Sequence, residues 1–486
     1  MKSLQTTMMM TTGEIGGEVM SLAAIEHRLT DKQEEIVNYD GDELLVKGIA
    51  GSGKTTVLLK KARKVIEKNP SIRIGLFTYN KTLSQYSKKI AEQIGPDNLF
   101  VYTFHSWAYG ALRDVTRTRL NVTTTRDQKD CLKRAVEIIR KDSKHRFVTE
   151  EKFREFLSDE ISWIKGKGIK NLLEYQNVSR IGRGSSVRVT KPDRKIIFRI
   201  FEEYERAKKN IRKIDYDDFA VMLLENKTKI KDSLKFDQVM IDEGQDLQQI
   251  QLRLLRYIAK EKFIIAADKG QKIYKTSFSW KDIGINILGG RTKILQNSFR
   301  STKQIIQMAH SLQMNDSIIK DEEYVAPVLP EYTGPVPDVF ECDSKEKQDA
   351  AIIRTIKQLL EENPDKTIGI LSREWRSINR LYYAFQAESI PYEFIKKDQG
   401  DAHTPGAKLT TFHSAKGLEF DYVIILDLVD ESFDEELQDE EYLEVERRLL
   451  YVSITRAKTY LQLYYYDQPS SLLKEIDSKY YKKHKI

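Results

Sequence analysis

ELLVKGIAGSGKTTVLLKKARKVIEK, residues 43–68, joins three patterns in one stretch of chain. The apolar ELLVK reads as a short buried strand, and VLLKKARKVIEK repeats its apolar positions at helical spacing. Between them GIAGSGKTT fits G-x-x-x-x-G-K-[ST] with Gly48, Gly53, Lys54 and Thr55. Glycines there let the backbone N–H groups of Ala50, Gly51, Ser52, Gly53, Lys54, Thr55 and Thr56 close around phosphate oxygens at the positive end of the helix. Lys54 would reach the β- and γ-phosphates of a nucleotide, and Thr55 would ligate Mg2+. A strand, a phosphate loop and a helix in that order belong to an α/β fold on a parallel sheet.

A phosphate loop fixes the nucleotide and leaves the task open. FDQVMIDEGQDLQQ, beginning at Phe236, narrows it, because the buried run VMI delivers Asp242 and Glu243 side by side at its end. Strand alternation is expected to place neighbouring side chains on opposite sides. One carboxylate, Asp242, would then hold the Mg2+, and Glu243 would orient an attacking water.

Composition sets the outer bounds. A chain of 486 residues is long enough for two to four domains, and 40% apolar with 31% charged residues is a globular composition. Two cysteines, Cys131 and Cys342, build neither a disulfide framework nor a cysteine metal cluster, and a reducing cytoplasm is expected. No apolar run nears the roughly 18 to 20 residues a membrane span requires. Residues 1–25 read as a flexible leader.

The net charge of +7 is unevenly placed: residues 161–200 carry ten Lys or Arg against Glu174 and Asp193, a local +8. Such a run is either a solvated helical surface or a contact to a phosphate backbone, which gains affinity by releasing counterions. The opposite run, residues 427–446, has eleven acids and no base and reads as a solvated loop.

TFHS occurs twice, at residues 103–106 and 411–414, each time after an extended apolar stretch. A serine hydrolase needs an activated serine, a base and an orienting acid in one pocket, and adjacent His-Ser pairs at two separate sheets do not supply that. The duplication reads instead as one device built on two copies of a fold, each holding a nucleic-acid strand by backbone and hydroxyl contacts.

With these motifs assembled, the chain resembles the UvrD/Rep-like group of superfamily 1 DNA helicases. LTDKQEEIV (29–37) looks like the family's adenine-reading motif with Gln33 in the reading position. FTYNK (77–81) and YTFHS (102–106) resemble its nucleic-acid motifs, which implies strand contacts at Thr78, Asn80, Phe104 and His105. FIIAADKGQKIY (263–274) resembles the coupling motif, with Gln271 as γ-phosphate sensor and Tyr274 near the strand. LQNSFRST (295–302) places Phe299 on adenine and Arg300 at the γ-phosphate. TTFHSAKGLEFDYV (410–423) is the closest match; it implies strand contacts at Thr411 and His413, with Gly417 and Glu419 near the ribose. ERRLLYVSITRAK (446–458) supplies Arg456, reaching across to the nucleotide, and Arg373 matches a family arginine near the strand groove.

The resemblance implies two RecA-like P-loop NTPase domains, parallel sheets flanked by helices, with ATP and Mg2+ between them. The expected boundaries are 26–106 with 233–310 for the first domain, 107–232 for a mainly helical insertion that the resemblance lays against nucleic acid through Arg183 and Arg188, 311–470 for the second domain and 471–486 for a basic tail. Three departures stand out. Thr78 occupies the family's base-stacking position; Trp280 or Phe278 must act as base platform if either does; and IKKDQGDAHTPGAKL fills the gap where longer relatives carry the 2B subdomain.

The leading functional expectation is a 3′-to-5′ motor on single-stranded DNA or tailed duplex. The alternatives are a DNA-stimulated regulatory ATPase beside a partner nuclease, as in phage defence or repair, and an RNA helicase, since stacking and phosphate contacts do not separate RNA from DNA without a 2′-OH reader. No membrane partner is expected.

Overall fold

Strands covered on both faces read as continuous apolar runs, and their side chains divide alternately between two layers. The computed structural model describes residues 28–78, 87–88, 91–180, 187–272, 280–285, 289–321, 324–396, 400–430 and 440–486, the side chains at 281–282 and 440–441 excepted. Asn80, Arg183, Tyr274 and Phe278, together with the 1–25 leader, fall outside those residues.

The first sheet contains β1 (Glu43–Gly48), β2 (Ile74–Thr78), β3 (Leu99–Thr103), β4 (Phe236–Ile241), β5 (Ala259–Ala267) and β6 (Thr292–Leu295). All pair in parallel in the order β3-β2-β4-β5-β1-β6. Leu44, Val46, Met240, Ile264 and Ala266 turn to one layer with Val57 and Leu58 of the helix Lys54–Lys68. Their neighbours Leu45, Val239, Ile241, Phe263 and Ile265 turn to the other. That second layer is closed by the helices Phe104–Thr116 and Asp218–Glu225, through Trp107, Leu112, Phe219 and Leu223.

The helical insertion has its own core, running from Cys131 to Ala207 and centred on Phe147, Leu157, Ile164, Tyr175 and Ile197. It is therefore narrower than the expected 107–232, because the helices on either side of it belong to the first sheet. A single parallel bridge, Val122 to Ile214, closes its neck. Beside the neck Lys165 and Lys208 are buried against Asp215, Asp218 and Glu205 at 2.5–3.0 Å. These three carboxylates converge as a metal site would, but each is already paired with both ammonium groups.

The second sheet contains β7 (Asp338–Cys342), β8 (Thr367–Ser372), β9 (Tyr392–Phe394), β10 (Gly406–Thr411), β11 (Phe420–Ile425), β12 (Ala457–Tyr466) and β13 (Lys482–Lys485). Its order is β13-β7-β12-β11-β8-β10-β9, again parallel throughout. β9 ends at Phe394 and the next strand, β10, begins at Gly406.

Three expectations are corrected. The chain enters the second domain near Ser301 rather than 311: Ser301 Oγ donates to Ala457 O at 2.6 Å, and Ile305, Met308 and Leu312 of the helix Lys303–Gln313 lie in the second core. The 471–486 segment is not a tail, since β13 pairs with β7 and completes the sheet. The acidic run is only partly a loop, because from Glu440 onward it forms the helix Glu440–Ile454.

Candidate functional site

In a parallel sheet the carboxyl ends of the strands gather loops at one edge, where ligands bind. β1 ends in the phosphate loop, β4 in Asp242 and β5 in Asp268. Gly51 and Gly53 have φ of 70° and 82°, conformations that strain any residue with a Cβ. A Cβ on Gly53 would also stand 2.6 Å from Gln33 Nε2. Gln33 closes a capping box with Thr30 at the helix Asp31–Asn38 and donates to Ser52 O at 3.1 Å. Lys54 Nζ lies over the loop, 3.0 and 2.9 Å from the carbonyls of Gly48 and Ile49 and 3.6 Å from Asp268.

Thr55 Oγ1 donates to Asp242 Oδ2 at 2.5 Å. Asp242 is buried, and burial, with the neighbouring Glu243 charge, raises its pKa to about 6. Glu243 follows in a left-handed conformation, φ 54°, so a turn and not strand alternation separates the two carboxylates. A non-glycine residue held there carries backbone strain of about 1–3 kcal/mol, a cost found mostly at functional sites. Burial pushes the Glu243 carboxyl up, but Lys54, Lys416, Gln245 and Arg456 outweigh it and hold its pKa below the ordinary value.

The second domain meets this edge with four charged residues. Arg456 is almost wholly buried; its Nη2 donates to Gln271 Oε1 at 2.8 Å and its Nη1 to Leu418 O at 3.1 Å. Burial and the nearby Arg300 lower its pKa to about 9. Arg300 Nη2 donates to Glu419 Oε1 at 2.5 Å, and Arg300 with Lys458 overcomes burial to draw the Glu419 pKa down to about 2. Lys416 Nζ pairs with Asp246 Oδ2 at 2.7 Å and donates to Gln271 O at 2.8 Å. Gln271, on the first domain, thus receives one cation on its side chain and another on its backbone, both from the second domain. Gly417, φ 84°, lies between Lys416 and Leu418.

The phosphate loop fits a polyphosphate. Ser52 Oγ, Ser298 Oγ and Arg300 Nε around it are buried without partners among the described residues, and the Phe299 N–H donates to Gly51 O at 2.9 Å while its ring is 57% exposed beside the loop. The oxygen donors of Thr55 and Asp242 suit a hard divalent cation such as Mg2+.

The two TFHS copies are structurally alike. Thr103 and Thr411 each end a strand and cap a helix, accepting the N–H of Ser106 at 3.2 Å and of Ser414 at 3.4 Å. Phe104 and Phe412 are buried in their respective cores. The Phe104 side chain, expected at the strand, is therefore taken up by packing, while His105 lies edge-on to Tyr216, with ring centroids 5.3 Å apart. Thr78 is buried and pairs with Thr103 across β2 and β3. Trp280 packs with Ile283 and Ile285 in the first core, which removes it as a base platform. Arg373 forms a two-pronged pair with Glu446 at 2.5 and 2.6 Å, so its guanidinium is committed to the helix Glu440–Ile454. His413 and Arg188 are exposed. Sequence reasoning named neither Lys416, Asp246 nor Asp268 as site residues, although AKGLEF and DEGQD contain the first two.

Two parallel α/β domains with a phosphate loop on one and an arginine and a lysine from the other beside it define a nucleotide-driven enzyme of the helicase type. Residues 29–282 match the UvrD/REP helicase N-terminal domain family, and residues 396–468 match the UvrD-like helicase C-terminal domain family. The chain belongs to the UvrD/REP helicase family. It is 25% identical to a probable DNA helicase of Mycoplasma pneumoniae over 94% of this chain and 88% of that protein. It is 26% identical to the ATP-dependent DNA helicase PcrA of Bacillus subtilis, over 59% of this chain and 39% of PcrA. A probable DNA helicase II homolog of Mycoplasma capricolum is also 26% identical, over 77% of this chain and 53% of its own length. The chain thus spans about half or less of these two longer relatives.

Proposed function

We propose that this chain is an ATP-driven motor that moves 3′ to 5′ along single-stranded DNA. The observation that carries the reading is the convergence of Lys416 and Arg456 on Gln271. Cations from one domain held by a residue beside the other domain's phosphate loop make hydrolysis sensitive to closure of the cleft.

In this mechanism Lys54 would leave the loop carbonyls for phosphate oxygens, and Thr55 and Asp242 would hold Mg2+. The metal supplies charge neutralisation on the phosphates when bound. Glu243 orients the attacking water and takes its proton. Arg456 and Arg300 stabilise charge on the phosphoryl group passing from ADP to water only when the domains are closed, and Gln271 reports that closure to the first domain. Gln33 and Phe299 hold the base. Thr103 with His105, and Thr411 with His413, hold the strand at the two sheets and change their separation in each cycle.

Strand displacement on duplexes with 3′ and 5′ tails tests the polarity, and faster unwinding from the 5′ tail would refute it. ATPase stimulation by single-stranded DNA, single-stranded RNA and duplex, side by side at two salt concentrations, tests the track. Stimulation by RNA above that by DNA would replace the substrate.

A further inference from the structure

The helix Phe104–Thr116 begins at the strand-binding edge and runs back along the sheet for 13 residues. At about 1.5 Å per residue its far end lies roughly 18 Å from TFHS, at the opposite edge of the domain. There Tyr109, Gly110, Arg113, Asp114, Arg117, Thr118, Arg119 and Lys231 line an open groove of about 780 Å³.

Four cations face one carboxylate in this groove, a net of +3, and Asp114 is already paired with Lys231. Arg113, Arg117 and Arg119 are exposed, and among the described residues their guanidinium groups have no acid or carbonyl partner. Arg113 and Arg117 are four residues apart at the helix end, a spacing that puts neighbouring side chains about 5–6 Å apart. Gly110 lies between Tyr109 and the arginines with nothing within 4 Å of where a Cβ would stand, so the floor is open to close approach. Tyr109 is fixed against Phe219, with ring centroids 6.2 Å apart.

Arg117 adds an independent observation. It ends the helix in the left-handed region, φ 53°, which glycine occupies without strain. A guanidinium is thus presented at the groove from a backbone position that disfavours any side chain.

We infer that this groove is a second nucleic-acid contact, holding the backbone of a flanking stretch of the strand gripped at TFHS through Arg113, Arg117 and Arg119. Arginine suits phosphate because its planar fork donates two hydrogen bonds at once. A nucleic acid is favoured over an acidic peptide because the groove lies on the helix that starts in a strand-binding motif and its cations outnumber its hydrophobic anchors. The inference rests on the DNA-motor reading.

The test measures binding of single-stranded oligodeoxynucleotides of about 8 and about 30 nucleotides, lengths chosen around a single binding-site size. The full chain is compared with Arg113→Gln/Arg117→Gln/Arg119→Gln. The variant should bind the short strand as before, and its slope of log affinity against log salt on the long strand should fall by about 2. Arg117→Gly should lower that slope by about 0.7 while melting no lower than the parent, which separates lost contact from lost fold. An unchanged slope on the long strand, or an equal loss on both lengths, overturns the groove alone. No binding of either length by the parent chain overturns the groove together with the DNA reading. Tighter binding of poly-glutamate than of the long strand, lost in the triple variant, would overturn it in favour of an acidic protein ligand.

Discussion

Lys416 and Asp246 form a buried ion pair between the two domains, with Nζ 2.7 Å from Oδ2. Burial raises the Asp246 pKa to about 6 even with Lys416 beside it, so the carboxylate is ionised near neutrality at a cost the lysine offsets. Lys416→Met should destabilise the chain by about 3–5 kcal/mol at pH 8. Without the lysine the folded-state pKa rises further, so stability is lost as pH rises from about 4 through that higher value, and the variant's melting deficit should be smaller at pH 5.5. Lys416→Met/Asp246→Asn should recover most of the melting temperature but not DNA-stimulated ATPase; recovery of both would refute the coupling role.

Lys54→Ala and Glu243→Gln should each reduce DNA-stimulated ATPase to below about 1% of the parent, the scale of losing a charge-stabilising or water-positioning group. Only Glu243→Gln should still bind ATP, as fluorescent-nucleotide titration would read. Full turnover by either variant contradicts the assignment.

Asp242 carries two pH effects of opposite sign. Its folded pKa, about 6, exceeds the ordinary 3.8, so the fold favours the protonated form and loses stability as pH rises from about 4 to 6. Asp242→Asn should accordingly melt higher than the parent at pH 7.5 while hydrolysing no ATP. Mg2+ requires the ionised carboxylate, so Mg2+-dependent nucleotide affinity should fall as pH drops below about 6. Calorimetric titrations at pH 5.5 and 7.5 distinguish this from a pH-independent site.

Thr103→Ala and Thr411→Ala each remove a helix cap and should cost about 1 kcal/mol of stability. Both should also weaken single-strand binding, and serine at either position should restore cap and binding together. Weakened binding that serine does not rescue would assign the threonine methyl, not the hydroxyl, to the grip.

Charge reversal at Arg188 and Lys191, both exposed at the start of the helix Lys191–Asn210, should lower the salt slope of DNA binding by about 2. An unchanged slope returns this segment to a solvated surface.

The features legible in the sequence are those whose chemistry is local. A phosphate loop states its backbone conformation through its glycines, and TFHS states its cap through Thr and Ser three residues apart. What escaped reading depends on distant partners. The helix Lys303–Gln313 is amphipathic, but periodicity does not say which of two sheets receives its apolar face. KKHK has poor strand propensity and becomes β13 because the open edge of β7 accepts it. Phe104 and Trp280 carry rings that suit a base or a core equally well, and the core takes both. Glu243 looked like the next residue of a strand, and only its positive φ shows that the chain has already turned.

The crossing from β10 to β11 has a mechanical meaning. Thr411 is level with Ser372 at one end of β8, while Tyr422 is level with Ile368 near the other, so the chain must travel nearly the full height of the sheet between them. That height is about 20 Å for six residues of strand. Residues 412–419 bridge it with one four-residue helix, a turn in which the Leu418 N–H donates to Ala415 O at 3.0 Å, and Glu419. The segment is tethered along its length, by Lys416 to Gln271 and Asp246 and by Leu418 O to Arg456, and both ends are pinned in the sheet. In the proposed motor it would serve as a pushrod: a shift at Glu419 should arrive at His413 instead of dissipating in a loop, and lengthening it by a few glycines should leave both ends intact and the engine out of gear.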